Sequence, residues 1–227
     1  MKFHIISIFP EIFENFFSTS IIGKSIEKKI IEVSIYNPRD FTYDKHKQVD
    51  DEIYGNGAGM LIKAKPIIDC VNNILENIKN KTFVIIYLSP SSIQRNQELV
   101  NSFSISYENI ILVSGRYEGI DYRFEQYFTD KYPNNFFKIS IGKYIMMGGE
   151  VPSMIIIESI SRLVPGVIKE KDSVFYDSYS INENLNNLEH PHYTRPINVY
   201  GYSVPDILIS GNHKKIQDRR DQNTKNI

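Results

Sequence analysis

The chain has 227 residues, 41% hydrophobic and 23% charged, with a formal net charge of −1. This balance suits one sizeable α/β domain plus a small appendage and excludes a surface that holds nucleic acid by bulk charge alone. The single cysteine, Cys70, excludes an intrachain disulfide and a cysteine-cluster metal site, which fits a reducing, cytoplasmic setting.

The first residues, MKFHIISIFPEIF, lack the longer apolar core and cleavage site of a signal peptide, and no apolar run approaches membrane-spanning length. Phe3 to Phe9 reads as a buried strand, and Pro10 opens a helix through Phe17. A second helix over about 21–29 leads into an alternating strand from Ile31 to Tyr36. Residues 37–59, NPRDFTYDKHKQVDDEIYGNGAG, form a long polar loop. Loops of that length inside a compact domain are usually functional or mobile. Gly55, Gly57 and Gly59 lack the interval and preceding strand of a dinucleotide fingerprint, and no GxxxxGK[ST] occurs. Both absences count against a nucleotide- or NAD-dependent enzyme.

A helix is predicted over Ala64 to Ile78 and a strand over Thr82 to Leu88, ending in Ser89-Pro90. Gln94 to Phe103 reads as a helix, and Asn109 to Val113 as a buried strand followed by SGRYEGID. The apolar run Phe136 to Ile141 turns on Gly142; Tyr144 to Met147 then leads to Gly148-Gly149, and Glu150 and Pro152 open a helix to Leu163. Unbroken apolar strands separated by helices imply a parallel sheet covered on both faces. Ligands of such sheets sit at the carboxyl ends of the strands. Three loops lie there, 88–90, 115–119 and 141–149, and their convergence favours a ligand site. The adjacent glycines permit close backbone approach, and a loop whose only cation is Lys143 suits a flat heterocycle better than a phosphate. A plain glycine turn packing helix on strand is the alternative.

Pro165-Gly166 ends the helix, and the polar, Asn-rich stretch 167–189 reads as a linker. Residues 190–227 form a small second module containing HPHYTRP and VPDILISGNHKKI. Its basic tail carries Lys214, Lys215, Arg219 and Arg220, a solvated face by default and a contact to RNA phosphates as the sharper alternative.

Seven motifs occur in order: NPRDF (37–41), DKHKQVDDEIYGNGAGM (44–60), GRYEGID (115–121), SIGKYIMMGGEVP (140–152), SRLVPGV (161–167), HYTRP (192–196) and LISGNH (208–213). With them the chain, from Phe9 to about Lys215, closely resembles the bacterial tRNA (guanine-N1)-methyltransferases of the knotted SPOUT class. The resemblance implies a cytoplasmic homodimer that uses S-adenosylmethionine to methylate N1 of the guanosine at tRNA position 37, beside the anticodon. It implies an α/β fold: a parallel-sheet catalytic domain with a trefoil knot (1–166), a linker carrying the catalytic aspartate (167–189), and a small, mostly helical tRNA-binding domain (190–227).

By that match, the cofactor residues are Tyr87, Leu88, Ser89, Pro90, Gly115, Tyr117, Glu118, Ser140, Ile141, Gly142, Tyr144, Ile145, Met146, Gly148, Gly149 and Pro152. Asp172 and Arg162 match the catalytic pair. Asp172 would take the N1 proton, and Arg162 would meet the charge growing on O6. Glu118 would sit near the target base. His46 and Asp50, in the long polar loop, would meet tRNA or the opposite protomer, while Lys214, Lys215, Arg219 and Arg220 would meet tRNA. Magnesium dependence is also implied, but no dedicated cage of carboxylates is visible and no metal residue is assigned.

The chain departs from the family pattern in several places. Lys143 replaces a common aspartate, Ser91-Ser92 a glycine-containing turn, and Ile53 and Asn56 a proline and a glycine. The pattern's Trp- and Arg-rich continuation beyond the SGNH helix has no counterpart before Ile227. These departures motivate a rival, an RNA-binding module that keeps the fold without turnover.

Overall fold

The computed structural model describes residues 1–92, 94, 96–169, 177–179 and 187–226. They form two compact units, Met1–Lys169 and Glu170–Ile227.

In the first unit, β1 (Lys2–Ile6) runs into a 3-10 turn, Pro10–Phe13, and the short helices α1 (Glu14–Ser18) and α2 (Ser20–Glu27). After β2 (Glu32–Tyr36) come a 3-10 turn at Pro38–Phe41 and a hairpin of β3 (Asp50–Glu52) and β4 (Met60–Ile62). Next are α3 (Ala64–Asn77), β5 (Phe83–Leu88), α4 (Gln97–Ser106), β6 (Asn109–Ser114), α5 (Arg123–Lys131), β7 (Phe136–Ile139) and α6 (Glu150–Leu163).

Five strands make one sheet in the order β2-β1-β6-β5-β7, every pairing parallel. The register aligns Leu88 with Ser114 and with Ile139, so β5, β6 and β7 end side by side. Alternate residues feed opposite faces. Val84, Ile86, Ile110 and Leu112 pack with α4 and α6 residues such as Phe103, Ile156, Ile157 and Ile160. Ile85, Tyr87, Ile111 and Val113 pack with Ile67, Val71 and Ile74 of α3 and Phe124 and Phe128 of α5. A strand buried on both sides has no polar face, which is why these stretches read as unbroken apolar runs. Cys70 lies in the α3 layer, where burial pushes its thiol pKa up and keeps it unreactive.

The structure amends the sequence reading at three places. The long polar loop is partly ordered, because β3 and β4 pair across the glycine-rich tip. Helix α5 escapes the periodicity test because it buries only Phe124 and Phe128 among polar residues. The run from Phe136 leaves the sheet at Ser140. There the Ser140 Oγ donates to the Gly142 carbonyl (2.9 Å) and accepts from the Gly142 amide (3.3 Å), turning the chain two residues early.

The second unit pairs Asn187–Leu188 with Lys225–Asn226 and Asn198–Val199 with Tyr202–Ser203. It carries helices Asp206–Ile209 and His213–Asn223. Asn212 caps the latter, its Oδ1 accepting from the Lys215 amide at 3.1 Å. Among the described residues no helix is long and apolar enough to cross a membrane.

Candidate active site

The carboxyl ends of β5, β6 and β7 enclose a cleft of about 280 Å³. Its walls are the three loops singled out in sequence, and every residue predicted for the cofactor lines it. Arg116, Gly119 and Met147, within the same loops, line it as well, and so do Ser91 and Ile139, which lie outside the loops named from sequence. Leu88, Ile139, Ile141 and Pro152 give it apolar lining. Tyr87 stands at the base, its ring edge-on to Phe124 (5.5 Å between centroids), and burial pushes its phenol pKa upward. Ile145 and Met147, at the tip of the third loop, are 88% and 90% exposed.

Tyr117 is left-handed (φ +57°), a conformation that costs a non-glycine residue about 1–3 kcal/mol. The β3–β4 hairpin braces the following residues. The amide of Glu118 donates to the Met60 carbonyl (3.1 Å), Ile62 to Gly119 (2.9 Å) and Asp121 to Ile62 (2.9 Å). A Cβ at Gly59 would lie 2.7 Å from Glu118 Cγ, so glycine there leaves the exposed Glu118 side chain its room.

At the glycine pair the packing alternative has direct support. Neither Gly148 nor Gly149 has positive φ. A Cβ on Gly149 would stand 2.7 Å from Ser114 Cα and 2.9 Å from the Gly115 nitrogen, whose carbonyl accepts from the Gly149 amide at 2.8 Å. A Cβ on Gly148 would collide with Arg116 Nε and Glu150 Oε2. The vacant space belongs to the protein's own packing.

Those two atoms form an ion pair at 2.8 Å, with Glu150 1% exposed. The contact is ionic rather than a well-directed hydrogen bond. Glu150 Oε1 accepts from the buried Ser7 hydroxyl at 2.7 Å. Ser114 and Ser153 share a buried hydrogen bond of 2.9 Å behind the same loop. Sequence reasoning placed Arg116 and Glu150 within cofactor loops but did not pair them, and it gave Ser7 no role. The available signal was a glutamate placed directly after two glycines and before an otherwise apolar helix.

Arg162 is exposed in the last turn of α6, and Asp172 lies outside the described residues. His46 is exposed in a turn where its amide and that of Gln48 donate to Asp44, holding that carboxyl below its usual range. Asp50 begins β3 opposite Ile62. Asn56 takes the left-handed conformation (φ +57°), which asparagine tolerates in a glycine's place. Lys143 is exposed, and its side chain is not part of the cleft lining.

In the second unit, helix His213–Asn223 presents Lys214, Lys215 and Arg220 to solvent, with Arg219 half-buried. A separate cavity of about 690 Å³ is lined there by His190, His192, Tyr193, His213, Lys214 and Arg220. The His190 and His192 rings lie 4.5 Å apart, and burial lowers the pKa of His190. Among the described residues, no group of three or more His, Cys, Asp or Glu is placed to hold a metal ion.

The family described as tRNA (Guanine-1)-methyltransferase TrmD matches residues 1–226. The chain belongs to this family. The TrmD match spans both units and also the stretch containing Asp172. Relatives named tRNA (guanine-N(1)-)-methyltransferase include one from Clostridioides difficile, 47% identical over 97% of this chain and 90% of the relative. Another, from Pseudoalteromonas atlantica, is 43% identical over 97% of this chain and 78% of its own length. A third, from Borrelia garinii, is 43% identical over 97% and 86%.

Proposed function

We propose that this chain transfers the methyl group of S-adenosylmethionine to N1 of the guanosine at tRNA position 37. The observation that carries the reading is the cleft: within a chain of the TrmD family, three loops at adjacent strand ends meet around one small, largely apolar space. At about 280 Å³ it stands at the small end of the ligand-pocket range, and its apolar lining suits a purine-bearing cofactor. When bound, S-adenosylmethionine supplies a methyl group on a cationic sulfonium.

The chain's own residues then have three tasks. Guanine N1 carries a proton, and its lone pair becomes nucleophilic only as that proton leaves. Asp172 takes it; an ordinary aspartate, with pKa ~3.9, is a weak base, so orientation and burial against the substrate must help. Arg162 donates to O6 as charge grows there. Glu118, on the braced loop, faces the target base. His46 and Asp50 contact the anticodon side of the tRNA, and Lys214, Lys215, Arg219 and Arg220 hold its phosphates.

The active form in this reading is a homodimer in the bacterial cytoplasm, with a trefoil knot formed around the 140–149 loop. Exposed Tyr144, Ile145, Met147, Val151 and Ile155 give a second copy an apolar surface to cover. Asp172 of one protomer would complete the cleft of its partner. The domain division is read as 1–166 catalytic, 167–189 linker and 190–227 tRNA-binding. Magnesium dependence is proposed without an assigned site.

The test is tritiated methyl transfer to a tRNA transcript with guanine or adenine at position 37. Transfer to the guanine transcript alone is expected. Transfer to both overturns the position. No transfer, with tRNA binding intact, favours the non-enzymatic RNA-binding module.

A further inference from the structure

We propose that Arg116 is a positioning residue, latching the 144–149 loop against the 115–119 loop and setting the width of the cleft before any ligand arrives. This rests on the reading of the cleft as the cofactor site.

The Arg116 side chain is held from several sides. Its Nε pairs with Glu150 Oε2 at 2.8 Å, its Nη1 donates to the Met147 carbonyl at 3.4 Å, and its Cζ lies 4.9 Å from the centre of the Phe9 ring. Gly148 leaves it the room, and Arg116 and Gly148 form a single antiparallel bridge between the two loops. The partners are themselves fixed. Glu150 opens α6, where the helix dipole favours a carboxylate, and it accepts from Ser7. The Ser7 hydroxyl also accepts from the Phe9 amide at 3.0 Å. Phe9 has a second guanidinium, Arg39, 5.7 Å from its ring centre, and Arg39 donates to the Ile8 carbonyl. Arg39 belongs to NPRDF, a motif the proposed reaction does not otherwise use. A continuous set of contacts thus joins the ends of β1 and β2 to both cleft loops.

Stability alone does not account for this arrangement. A buried ion pair is replaceable by apolar residues at little cost, and its better-attested use is to specify one geometry. Here the geometry specified is the distance between two loops that line one cleft. The guanidinium meets Glu150 through Nε and Met147 through Nη1 while its Cζ lies over Phe9, three contacts that the single nitrogen of an ammonium cannot make together.

The experiment uses the full chain and two variants, Arg116→Lys and the milder Ser7→Ala. Hydrogen exchange in the ligand-free protein is expected to rise about tenfold at the Gly149 amide, which donates to the Gly115 carbonyl across the two loops, and to stay unchanged in β5 and β6. The KM for S-adenosylmethionine is expected to rise about tenfold in Arg116→Lys, with kcat at saturation changed by less than about threefold. Unchanged exchange in both folded variants overturns the latch. So does exchange that rises equally in the strands, or failure of both variants to fold, since either assigns the network to stability alone. Calorimetry of the wild-type chain with S-adenosylhomocysteine judges the cofactor reading separately; the exchange result stands whichever way that titration falls.

Discussion

The two units of this chain treat their apolar residues in opposite ways. In Met1–Lys169 the strands β5 and β6 are buried along both faces, and whole helix faces of α3 and α6 close over them. In the second unit none of the residues whose exposure is described is buried, and Tyr200, Tyr202 and Ile209 are open to solvent. Close packing fixes side chains and loops to fractions of an ångström, which methyl transfer in line demands. A solvated basic surface cannot supply that accuracy. It attracts a polyanion over a Debye length, tolerates side-chain motion and weakens in salt. Accuracy therefore belongs to the unit with the core; in the proposed reading, reach toward the tRNA belongs to the other.

The sharpest way to break this contrast is to open the core. Ile157→Ala in α6 is expected to cost about 4 kcal/mol, read as a shift in the urea midpoint, because the neighbouring side chains collapse only partly. Gly149→Val should cost about 3 kcal/mol and abolish binding of S-adenosylhomocysteine, since the added carbon meets β6 backbone rather than a movable side chain. Stability within about 1 kcal/mol of wild type would show that the backbone yields there.

On the other side of the contrast, Lys214→Ala with Arg220→Ala should move stability by less than about 0.5 kcal/mol. The same pair should weaken tRNA binding and lower the slope of log affinity against log salt by about one for each phosphate no longer neutralised. An unchanged slope would remove this helix from the RNA surface.

The smallest effect concerns His4, buried in β1 between Tyr36 and Asn109 at 3.2 Å from each. Burial lowers its pKa below 6.5, with the hydrogen bond to Asn109 partly opposing that. As pH falls through 6.5 the unfolded chain gains a proton that the folded chain still refuses, so stability declines until the folded pKa is reached. Urea midpoints at about pH 7.5 and 5.5 should separate more for the wild type than for His4→Gln. Equal separations would mean that His4 does not titrate on unfolding.

Much of the first unit was legible because a doubly covered parallel sheet writes itself as apolar runs such as FVIIYL and NIILV. Such runs end where loops begin, and those loops are where the cleft lies. The β3–β4 hairpin was hidden because its strands are three residues long and DDE has no apolar face. Arg116 and Glu150 were hidden for another reason. Each looks like a surface charge in its own stretch, and only the fold brings them together from opposite sides of α5 and β7. Of the two readings of the glycine pair, a close approach to a ligand and a turn packing helix on strand, the nearest neighbours Ser114, Arg116 and Glu150 speak for the packing, while both glycines also line the cleft.

The strand order also bears on how the protein is made. Lys2 pairs with Glu32 on one side and with Asn109 on the other, so β1 lies between a strand made soon after it and one made much later. At roughly 5–20 residues per second, the ribosome takes several seconds to add the intervening chain. During that interval one edge of FHII has no neighbour, and its apolar side chains travel with the nascent peptide. Strand β1 is thus among the last of the sheet to be enclosed, and Phe3 and Ile5 stay open to a chaperone until β6 arrives.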